Sequence, residues 1–205
     1  MRLLFATSNP HKIREVAAIL SEANVQAVSL DSLDLSIPEP EETGNTFAEN
    51  ARIKAIAYAR ASGIACLAED SGLSVDALHG APGVHSARYS GTTGPRDERD
   101  ALNNRKLLDA LANVPDEQRS ARFVCAMCIA APSGEILTET EGTFEGRIAR
   151  SLSGENGFGY DPLLYLPQFG CTSAQLPPAQ KNALSHRGKA ARALVPELHR
   201  LFPAD

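Results

Sequence analysis

The stretch CLAEDSGL, residues 66–73, decides how the rest of the chain is interpreted. Its first three residues are apolar and typical of a buried strand, and Glu69 and Asp70 follow them directly. A serine and a glycine come next, so we predict a strand at residues 65–68 that ends in a tight turn. Two adjacent carboxylates repel each other, and their position after an apolar strand indicates that a cation binds between them.

The bulk composition is typical of one globular domain, or of two closely joined lobes, with a sizeable core. The chain has 205 residues, of which 43% are hydrophobic and 22% charged, and its formal net charge is -5. Lysine and arginine form no basic stripe, so we expect no nucleic acid as the main ligand, whereas a small anion is compatible. The apolar part of MRLLFATSNPHK is too short for a signal peptide, and no apolar run approaches a membrane span.

The four cysteines lie in or near apolar stretches. Cys125 and Cys128 form a C-x-x-C pair, a spacing that is also used in redox and zinc sites. The surrounding RFVCAMCIAA is typical of a strand, in which an offset of three places the two thiols on opposite faces. A zinc site would also need two further ligands nearby. We therefore expect cysteines that pack in the core of a reduced, cytoplasmic protein.

Hydrophobic periodicity predicts helices that alternate with strands and are followed by a β-hairpin, which favours an α/β fold with a mixed sheet. Thr46 and Glu49 form a capping box, and Gly63 closes the same helix. Residues 72–94 are rich in glycine and proline and are expected to be mostly irregular. The predicted strands are 2–6, 25–30, 65–68, 122–131, 135–148 and 163–166. The predicted helices are 11–23, 46–62, 96–112, with Leu102, Leu107, Leu108 and Leu111 inside, and 188–202.

The segment ATSNPHK joins the first predicted strand to the first predicted helix. Such a turn presents backbone N–H groups at the positive end of a helix dipole. Thr7, Ser8, Asn9 and Lys12 would point at the same place, which suits a phosphate group. The alternative is that Ser8 or Asn9 only caps the helix and that Lys12 is solvated.

The helix predicted at residues 46–62 carries Asn50 and Lys54 at the border of its apolar stripe. A lysine in that position either extends to the surface or reaches into a cleft. Three acidic residues precede the helix, namely Glu39, Glu41 and Glu42. They favour the helix dipole, or one of them binds a metal ion.

The carboxylates of the opening stretch suit magnesium in particular. Mg²⁺ binds one or two carboxylates, several waters and phosphate oxygens. Glu69, Asp70 and an acidic residue of the pair Glu41–Glu42 could supply them, at the end of a strand where α/β proteins bind ligands. The alternative is a solvated turn.

The segment SGENGFGYDP, residues 153–162, surrounds Phe158 with glycines. Glycines allow the backbone to approach a planar ligand, an aromatic ring can stack on a base, and Asp161 can bond to the edge of that base. A glycine-rich hairpin loop would have a similar composition. A further segment, QKNALSHRG, brings together three basic residues that form a candidate anion site or else are ordinary surface and core residues: Lys181, His186 and Arg187.

Six motifs occur in order along the chain: TSNPHK, EETGNTFAENA, AEDSGL, GAPGVHSARYSG, GFGYDP and SHRG. In this combination the sequence resembles the noncanonical purine nucleoside triphosphate pyrophosphatases, also called the inosine/xanthosine triphosphate pyrophosphatase family. The resemblance runs from Ala6 to Gly188. It implies a single domain over residues 1–205 with two lobes, a long twisted mixed sheet, flanking helices and a cleft between the lobes. It also implies a homodimer.

The resemblance further implies magnesium-dependent hydrolysis of dITP, ITP and XTP to the monophosphate and pyrophosphate, which cleanses the nucleotide pool. Asp70 is the implied base for the attacking water, and Glu42 and Asp70 are the implied metal ligands. Many family members carry D-D-S-G where this chain has Glu69, so either carboxylate of the pair could bind the metal. The implied substrate contacts are Thr7, Ser8, Asn9, Pro10, His11, Lys12, Ser71, Phe158, Gly159, Tyr160, Asp161, Lys181, His186 and Arg187.

Elementary chemistry is compatible with this activity. Lys12, Lys54 and magnesium can neutralise the charge that develops on a departing pyrophosphate. Inosine and xanthine carry a carbonyl group at C6, so donors are needed there, and His186, Arg187 or a backbone N–H near Phe158 could supply them. The alternatives are a hydrolase for modified pyrimidine or methylated nucleotides, a non-catalytic nucleotide sensor and, least favoured, a nucleic-acid-binding protein.

Overall fold

The structure, a computed structural model, describes residues 2–7, 9–22, 25–33, 35 and 37–201. Its strands are β1 (Arg2–Phe5), β2 (Gln26–Ser29), β3 (Cys66–Val75), β4 (Ser120–Ala130), β5 (Ile136–Ile148), β6 (Leu164–Leu166) and β7 (Cys171–Thr172). Its helices are α1 (Pro10–Glu22), α2 (Phe47–Ser62), α3 (Arg96–Ala110), α4 (Pro178–Leu184) and α5 (His186–Leu201). The short elements β7 and α4 are additional to the prediction.

The strands form one mixed sheet in the order β2-β1-β3-β4-β5-β6-β7. β1 pairs in parallel with β2 and β3, whereas β6 pairs antiparallel with both β5 and β7. Parallel pairs require crossover connections, which α1 and α2 provide. β4 and β5 are joined by a short turn that contains Pro132, Ser133 and Gly134, as expected for the predicted hairpin. The prediction of an α/β fold with a mixed sheet and flanking helices is confirmed.

The chain divides into two compact units. Unit 1 comprises the described residues within 1–70, 125–142 and 186–205, and unit 2 comprises 71–124 and 143–185. β3, β4 and β5 each contribute residues to both units.

In unit 1, both faces of the sheet are buried, so its strands are apolar on both faces. Side chains of β1, β3 and β4 alternate between a cluster with α1 and α5 and a cluster with α2. The first cluster contains Leu3, Phe5, Leu67, Cys125, Met127 and Ile129, and the second contains Leu4, Cys66, Ala68, Ala126, Cys128 and Ala130. Cys125 and Cys128 are therefore free core residues on opposite faces, as predicted.

Helix α2 begins and ends as its sequence predicts. The Thr46 side chain accepts a hydrogen bond from the Glu49 N–H, and the Glu49 side chain accepts one from the Thr46 N–H, so the capping box is complete. Gly63 ends the helix in the left-handed conformation, with φ of 68°. The helix face towards the sheet carries small residues such as Ala51 and Ala55, and it also buries Asn50 and Lys54. Two polar side chains of α2 are thus brought to the surface of the sheet.

The predicted end of β3 is wrong. The strand does not stop at residue 68 in a tight turn but continues to Val75, with Glu69 and Asp70 in its middle. Its last residues, Leu73 and Val75, are fully buried in the core of unit 2, which extends the strand. Gly72 serves close packing rather than a turn, because a Cβ atom there would overlap the Ser86 side chain.

The core of unit 2 is formed by α3 and by the strand segments that belong to this unit, including Leu107, Leu111, Phe123 and Phe144. The prediction that Leu102 points inward is wrong, since this side chain is 41% exposed. Its neighbours Asn103 and Asn104 are buried instead, because their amides bond to backbone carbonyl groups of unit 2.

Candidate active site

The alternation of β3 separates the two carboxylates of the opening stretch. Leu67 faces α1 and α5, so Glu69, two residues later, lies on that face as well. Ala68 faces α2, and Asp70 therefore lies on the α2 face. Both carboxylates are buried in the middle of the sheet, but they meet different partners.

On the α2 face, Asp70 belongs to a cluster that we call the Asp70 centre: Glu42, Asn50, Lys54 and Asp70. The Lys54 ammonium lies 2.6 Å from Glu42 Oε1 and 3.4 Å from Asp70 Oδ1. Asn50 Nδ2 donates a hydrogen bond of 3.1 Å to the other oxygen, Asp70 Oδ2. Two carboxylates thus share one ammonium group, which leaves the cluster with excess negative charge when both are ionised.

Asn50 also fixes the acidic loop that carries Glu42. Its Oδ1 atom accepts a hydrogen bond of 2.8 Å from the Gly44 N–H, while its amide nitrogen holds Asp70. A Cβ atom on Gly44 would lie 2.7 Å from Asn50 Oδ1, so glycine permits this close approach. One buried amide therefore positions both acidic parts of the Asp70 centre.

The charges of the Asp70 centre shift its pKa values in a consistent way. Burial raises the pKa of Asp70, and the nearby Glu42 carboxylate raises it further, against the opposing effects of Lys54 and Asn50. Burial disfavours the charged form of Lys54, but Asp70 and Glu42 outweigh this effect and raise its pKa. Lys54 consequently stays an ammonium ion, while Asp70 accepts a proton more readily than an exposed aspartate.

On the opposite face, Glu69 belongs to what we call the Glu69 centre: Lys12, Glu15, Glu69, Cys125 and Arg187. Arg187 Nε lies 3.0 and 2.8 Å from the two Glu69 oxygens, and its terminal NH1 donates to Glu15 at 2.7 Å. The Lys12 ammonium lies 2.9 Å from Glu69 Oε1, and the Cys125 thiol donates to Oε2 at 3.0 Å. The two oxygens of Glu69 are therefore surrounded by donors.

These donors hold Glu69 in its ionised form. Burial alone would raise the pKa of Glu69, but Arg187 and Lys12 outweigh burial and lower it well below its usual value. Burial also raises the pKa of the Cys125 thiol, and the Glu69 carboxylate raises it further, so the thiol keeps its proton and donates. The Glu69 centre is a compensated buried ion cluster, whereas the Asp70 centre carries a basic carboxylate.

The donor set of the Asp70 centre suits a hard divalent cation. Glu42 and Asp70 lie close enough for the charge of one to raise the pKa of the other. Within the described ranges, no three histidine, cysteine or acidic side chains form a metal-binding group. Two carboxylates are nevertheless sufficient for Mg²⁺, which completes its octahedron with waters and phosphate oxygens.

The predicted phosphate-binding turn lies between β1 and α1. Thr7 Oγ1 accepts a hydrogen bond of 3.1 Å from the Asn9 N–H, so this hydroxyl shapes the turn. Pro10 is the first residue of α1, where its missing N–H is tolerated, and His11 follows it in the helix. Ser8 lies outside the described residues, as do the side chains of Pro10 and His11.

In unit 2, a glycine-bounded segment carries the predicted aromatic contact, and we call residues 157–161 the aromatic loop. The Arg96 guanidinium lies 4.5 Å from the centroid of the Phe158 ring, and the Lys181 ammonium lies 5.4 Å from it. Asp161 Oδ2 accepts hydrogen bonds from the Phe158 N–H at 2.8 Å and from Lys181 at 2.6 Å. The Asp161 side chain thus bonds within unit 2 and stabilises the loop.

The remaining predicted contacts belong to both units. Ser71 is a partly buried residue of β3, and Tyr160 is a core residue whose hydroxyl donates to the Ser86 carbonyl at 2.9 Å. His186 is the buried first residue of α5. The expected cluster of three basic residues divides between the units, because Lys181 belongs to unit 2 and Arg187 to unit 1.

Several residues of the two centres, and several that contact the aromatic loop, had no role predicted from the sequence. Asn50 was noted only beside the apolar stripe, although its spacing of four from Lys54 placed both side chains on one helix face. Glu15 lies one helical turn after Lys12, and no other feature of the sequence indicated its ion pair with Arg187. Arg96, Asp100 and Asn104, which contact the aromatic loop, share the same spacing of four.

Fold and side chains together define a mixed-sheet α/β protein with a buried carboxylate–ammonium centre and an aromatic loop braced by cations. The chain belongs to the Ham1 family, whose sequence model matches residues 3–197. The motif resemblance stated from the sequence is thereby confirmed.

Similar curated proteins match the chain over nearly its full length. A dITP/XTP pyrophosphatase of Desulforamulus reducens is 50% identical over 202 residues, which cover 98% of this chain and 98% of that protein. A dITP/XTP pyrophosphatase of Nocardia farcinica is 51% identical over 202 residues, which cover 96% of this chain and 94% of that protein.

Solved structures agree in fold. A HAM1 protein from Coxiella burnetii has a TM-score of 0.88 and 39% identity, and the match covers 98% of this chain and 99% of that one. The dITP/XTP pyrophosphatase from Mycobacterium abscessus has a TM-score of 0.76 and 45% identity, with coverage of 96% and 100%. Among the described residues, no helix has both the length and the apolar character to cross a membrane.

Proposed function

We propose that this chain hydrolyses noncanonical purine nucleoside triphosphates, namely dITP, ITP and XTP, to the nucleoside monophosphate and pyrophosphate. Relatives that match nearly the whole chain are named dITP/XTP pyrophosphatases, and these names support the proposed class of substrate. The main structural support for the proposed hydrolysis is the Asp70 centre. There, a buried carboxylate with a raised pKa lies beside a charged lysine and a second carboxylate.

Magnesium is the proposed cofactor, and Glu42 and Asp70 are its proposed ligands. When bound, the ion supplies positive charge at the phosphate oxygens, where charge accumulates during phosphoryl transfer. Glu69 as an alternative magnesium ligand remains a prediction, but the contacts of its carboxylate make it the less favoured ligand. Arg187, Lys12 and the Cys125 thiol already compensate the Glu69 carboxylate.

In the proposed reaction, a water oxygen bonds to the α-phosphorus and the bond from this phosphorus to the bridging oxygen breaks. Pyrophosphate leaves with the bridging oxygen, and Asp70 accepts the proton of the water. In the metal-free protein, burial and Glu42 raise the pKa of Asp70. Proton transfer improves as the pKa of the acceptor approaches the working pH. Asn50 keeps one oxygen of Asp70 oriented, and Lys54 supplies positive charge beside it.

Lys12 and the turn before α1 are the proposed contacts of the triphosphate. Although Lys12 pairs with Glu69 on the other face of β3, its charge reaches Asp70 and lowers the pKa of that carboxyl, so both could act on one polyphosphate. The Lys12 side chain is 20% exposed, whereas Glu69 and Arg187 are almost fully buried, so Lys12 is the cation of the Glu69 centre that a solvent-borne anion can reach. The start of α1 favours an anion, because free backbone N–H groups lie there at the positive end of the helix dipole.

The aromatic loop is the proposed contact of the base. Phe158 supplies a ring for stacking. The Phe158 and Gly159 N–H groups already donate to Asp161 and Asp100, so the donor that a C6 carbonyl needs stays a prediction for His186 or Arg187. Ser71, Tyr160, His186 and Arg187 stay predicted nucleotide contacts. The single catalytic domain over residues 1–205, the homodimer and the cytoplasmic location also stay predictions.

The test is a substrate panel with product identification. The chain is incubated with dITP, XTP, dGTP and dATP, with magnesium and with EDTA, and the released phosphates are separated by ion-exchange chromatography. We expect the monophosphate and pyrophosphate from dITP and XTP, only with the metal, and much slower turnover of dATP. Release of single phosphates, turnover in EDTA, or equal turnover of all four nucleotides would contradict the proposal.

A further inference from the structure

Three side chains of α3 contact the aromatic loop at a spacing of one helical turn, and we call them the α3 stripe: Arg96, Asp100 and Asn104. Arg96 lies over the Phe158 ring at 4.5 Å from its centroid. Asp100 Oδ2 accepts a hydrogen bond of 3.0 Å from the Gly159 N–H, and Asn104 Nδ2 donates one of 2.9 Å to the Gly159 carbonyl. The stripe thus contacts both the aromatic ring and the backbone next to it.

The geometry shows that these contacts constrain the loop rather than merely touch it. Gly159 adopts a left-handed conformation with φ of 62°, and both of its backbone polar groups bond to the stripe. Asn104 is only 5% exposed, and a buried amide costs stability unless it is hydrogen-bonded. The loop uses this amide as a fixed anchor.

The stripe is itself held together, and the loop has a second attachment. Arg96 Nε lies 3.7 Å from Asp100 Oδ2, the same oxygen that accepts from Gly159. On the other side of the loop, Asp161 accepts from the Phe158 N–H and from the Ser173 hydroxyl. Phe158 is therefore constrained at its ring, at its own N–H and through the residue that follows it.

We propose that the α3 stripe is a positioning device for base recognition, which holds Phe158 in the orientation that stacks on the purine ring. This inference rests on the proposed function, because it assigns Phe158 to the base. A ring that is already ordered loses less conformational entropy on binding than a ring on a loose loop. The stripe acts through the loop, so its members are positioning residues and not catalytic ones.

The first experiment separates base recognition from phosphate recognition. Asp100→Ala removes the acceptor for Gly159, and Asp100→Asn keeps an acceptor oxygen there. For Asp100→Ala we expect the KM for dITP to rise about tenfold, the factor that ordering roughly one residue on binding implies, with kcat changed less than the KM. Asp100→Asn should restore most of this loss. The inhibition constant of inorganic tripolyphosphate, which has no base, should not change.

The matched control is Asp97→Ala, which removes the same charge from the same turn of α3 at an exposed side chain. Its KM for dITP should equal that of the parent. Equal KM changes in both alanine variants, or a parallel rise of the tripolyphosphate inhibition constant, would overturn the proposal. A fall of kcat with an unchanged KM would overturn it as well.

The second experiment does not depend on activity. The chain contains no tryptophan, so Phe158→Trp introduces a single tryptophan in the aromatic loop, whose fluorescence can be excited selectively over that of the four tyrosines. In this background, Asp100→Ala and Arg96→Ala should lower the steady-state anisotropy and increase quenching by acrylamide, while Asp97→Ala should not. Unchanged anisotropy in the Asp100 and Arg96 variants would overturn the positioning role. Lowered anisotropy without hydrolysis of dITP by the parent would refute the proposed function alone and leave the constraint on residue 158 established.

Discussion

Glu69 and Asp70 are neighbours in one strand, yet their surroundings shift their pKa values in opposite directions. Glu69 is compensated by Arg187 and Lys12, and its pKa is lowered. Asp70 shares one ammonium group with Glu42, and its pKa is raised. The comparison shows that the face of the strand, and not the position in the sequence, decides whether the pKa of a buried carboxyl is lowered or raised.

The largest expected effect concerns the Asp70 side of this comparison. Asp70→Asn keeps the size of the side chain and an acceptor for Asn50 but removes the proposed base, so turnover of dITP should fall by about 10²–10⁴, as for loss of a general base. The measurement is kcat with magnesium, together with thermal unfolding to verify that the variant is folded. Turnover at the parental rate would remove Asp70 from the catalytic role.

A large effect on stability is expected on the Glu69 side. Glu69→Gln leaves the buried Arg187 and the partly exposed Lys12 without their shared carboxylate. Removal of one partner from a buried ion pair costs about 3–5 kcal/mol. Unfolding by urea, followed by circular dichroism, measures this loss. A change below about 1 kcal/mol, the range of surface pairs, would show that the Glu69 centre does not stabilise the fold as its contacts indicate.

The two carboxylates should also give opposite pH dependences of stability, measured in EDTA. The pKa of Glu69 is lowered from an ordinary value of 4.5, so its stabilisation is complete above that pH and is lost as the pH falls below it. The stability difference between the parent and Glu69→Gln should therefore shrink in acid.

The pKa of Asp70 is raised from 3.8, so ionised Asp70 destabilises the folded state increasingly as the pH rises above that value. The stability advantage of Asp70→Asn over the parent should therefore grow as the pH rises above 3.8 towards the raised pKa of Asp70. Urea unfolding at several pH values measures both trends. Trends of the same sign for the two variants would contradict the assignment of opposite environments.

The smallest effect is expected from an ion pair between α2 and β5 that is open to solvent. Arg52 Nε and NH2 bond to the two Glu139 oxygens at 2.5 and 2.9 Å, and the arginine side chain is 44% exposed. Exposed pairs contribute about 0–1 kcal/mol, so Arg52→Ala should unfold at nearly the parental urea concentration and keep the parental kcat. A loss as large as that of Glu69→Gln would mean that burial does not separate the two classes of ion pair.

The sequence predicted the parts of the fold that depend on local signals. The capping box of Thr46 and Glu49, the glycine that ends α2, and the opposite faces of Cys125 and Cys128 all follow from spacing within a few residues. The family resemblance was also readable, because its motifs are short and occur in a defined order.

The environments of Glu69 and Asp70 could not be predicted from such local sequence signals. A pair of carboxylates after an apolar run suggested the end of a strand, since isolated charges do not remain buried. The strand continues because their partners come from distant segments: Arg187 lies 118 residues away from Glu69, and Asn50 lies 20 residues away from Asp70. Pairings of this kind depend on tertiary structure, which periodicity does not encode.

One measurement tests the separation of the two carboxylates most directly. It is the kcat for pyrophosphate release from dITP at saturating magnesium, compared between Asp70→Asn and Glu69→Gln at a temperature at which both variants are folded. We predict a fall of about 10²–10⁴ for Asp70→Asn and a fall of less than about tenfold for Glu69→Gln. Equal losses in the two variants, or a larger loss in Glu69→Gln, would contradict the assignment of the chemistry to the α2 face of the strand.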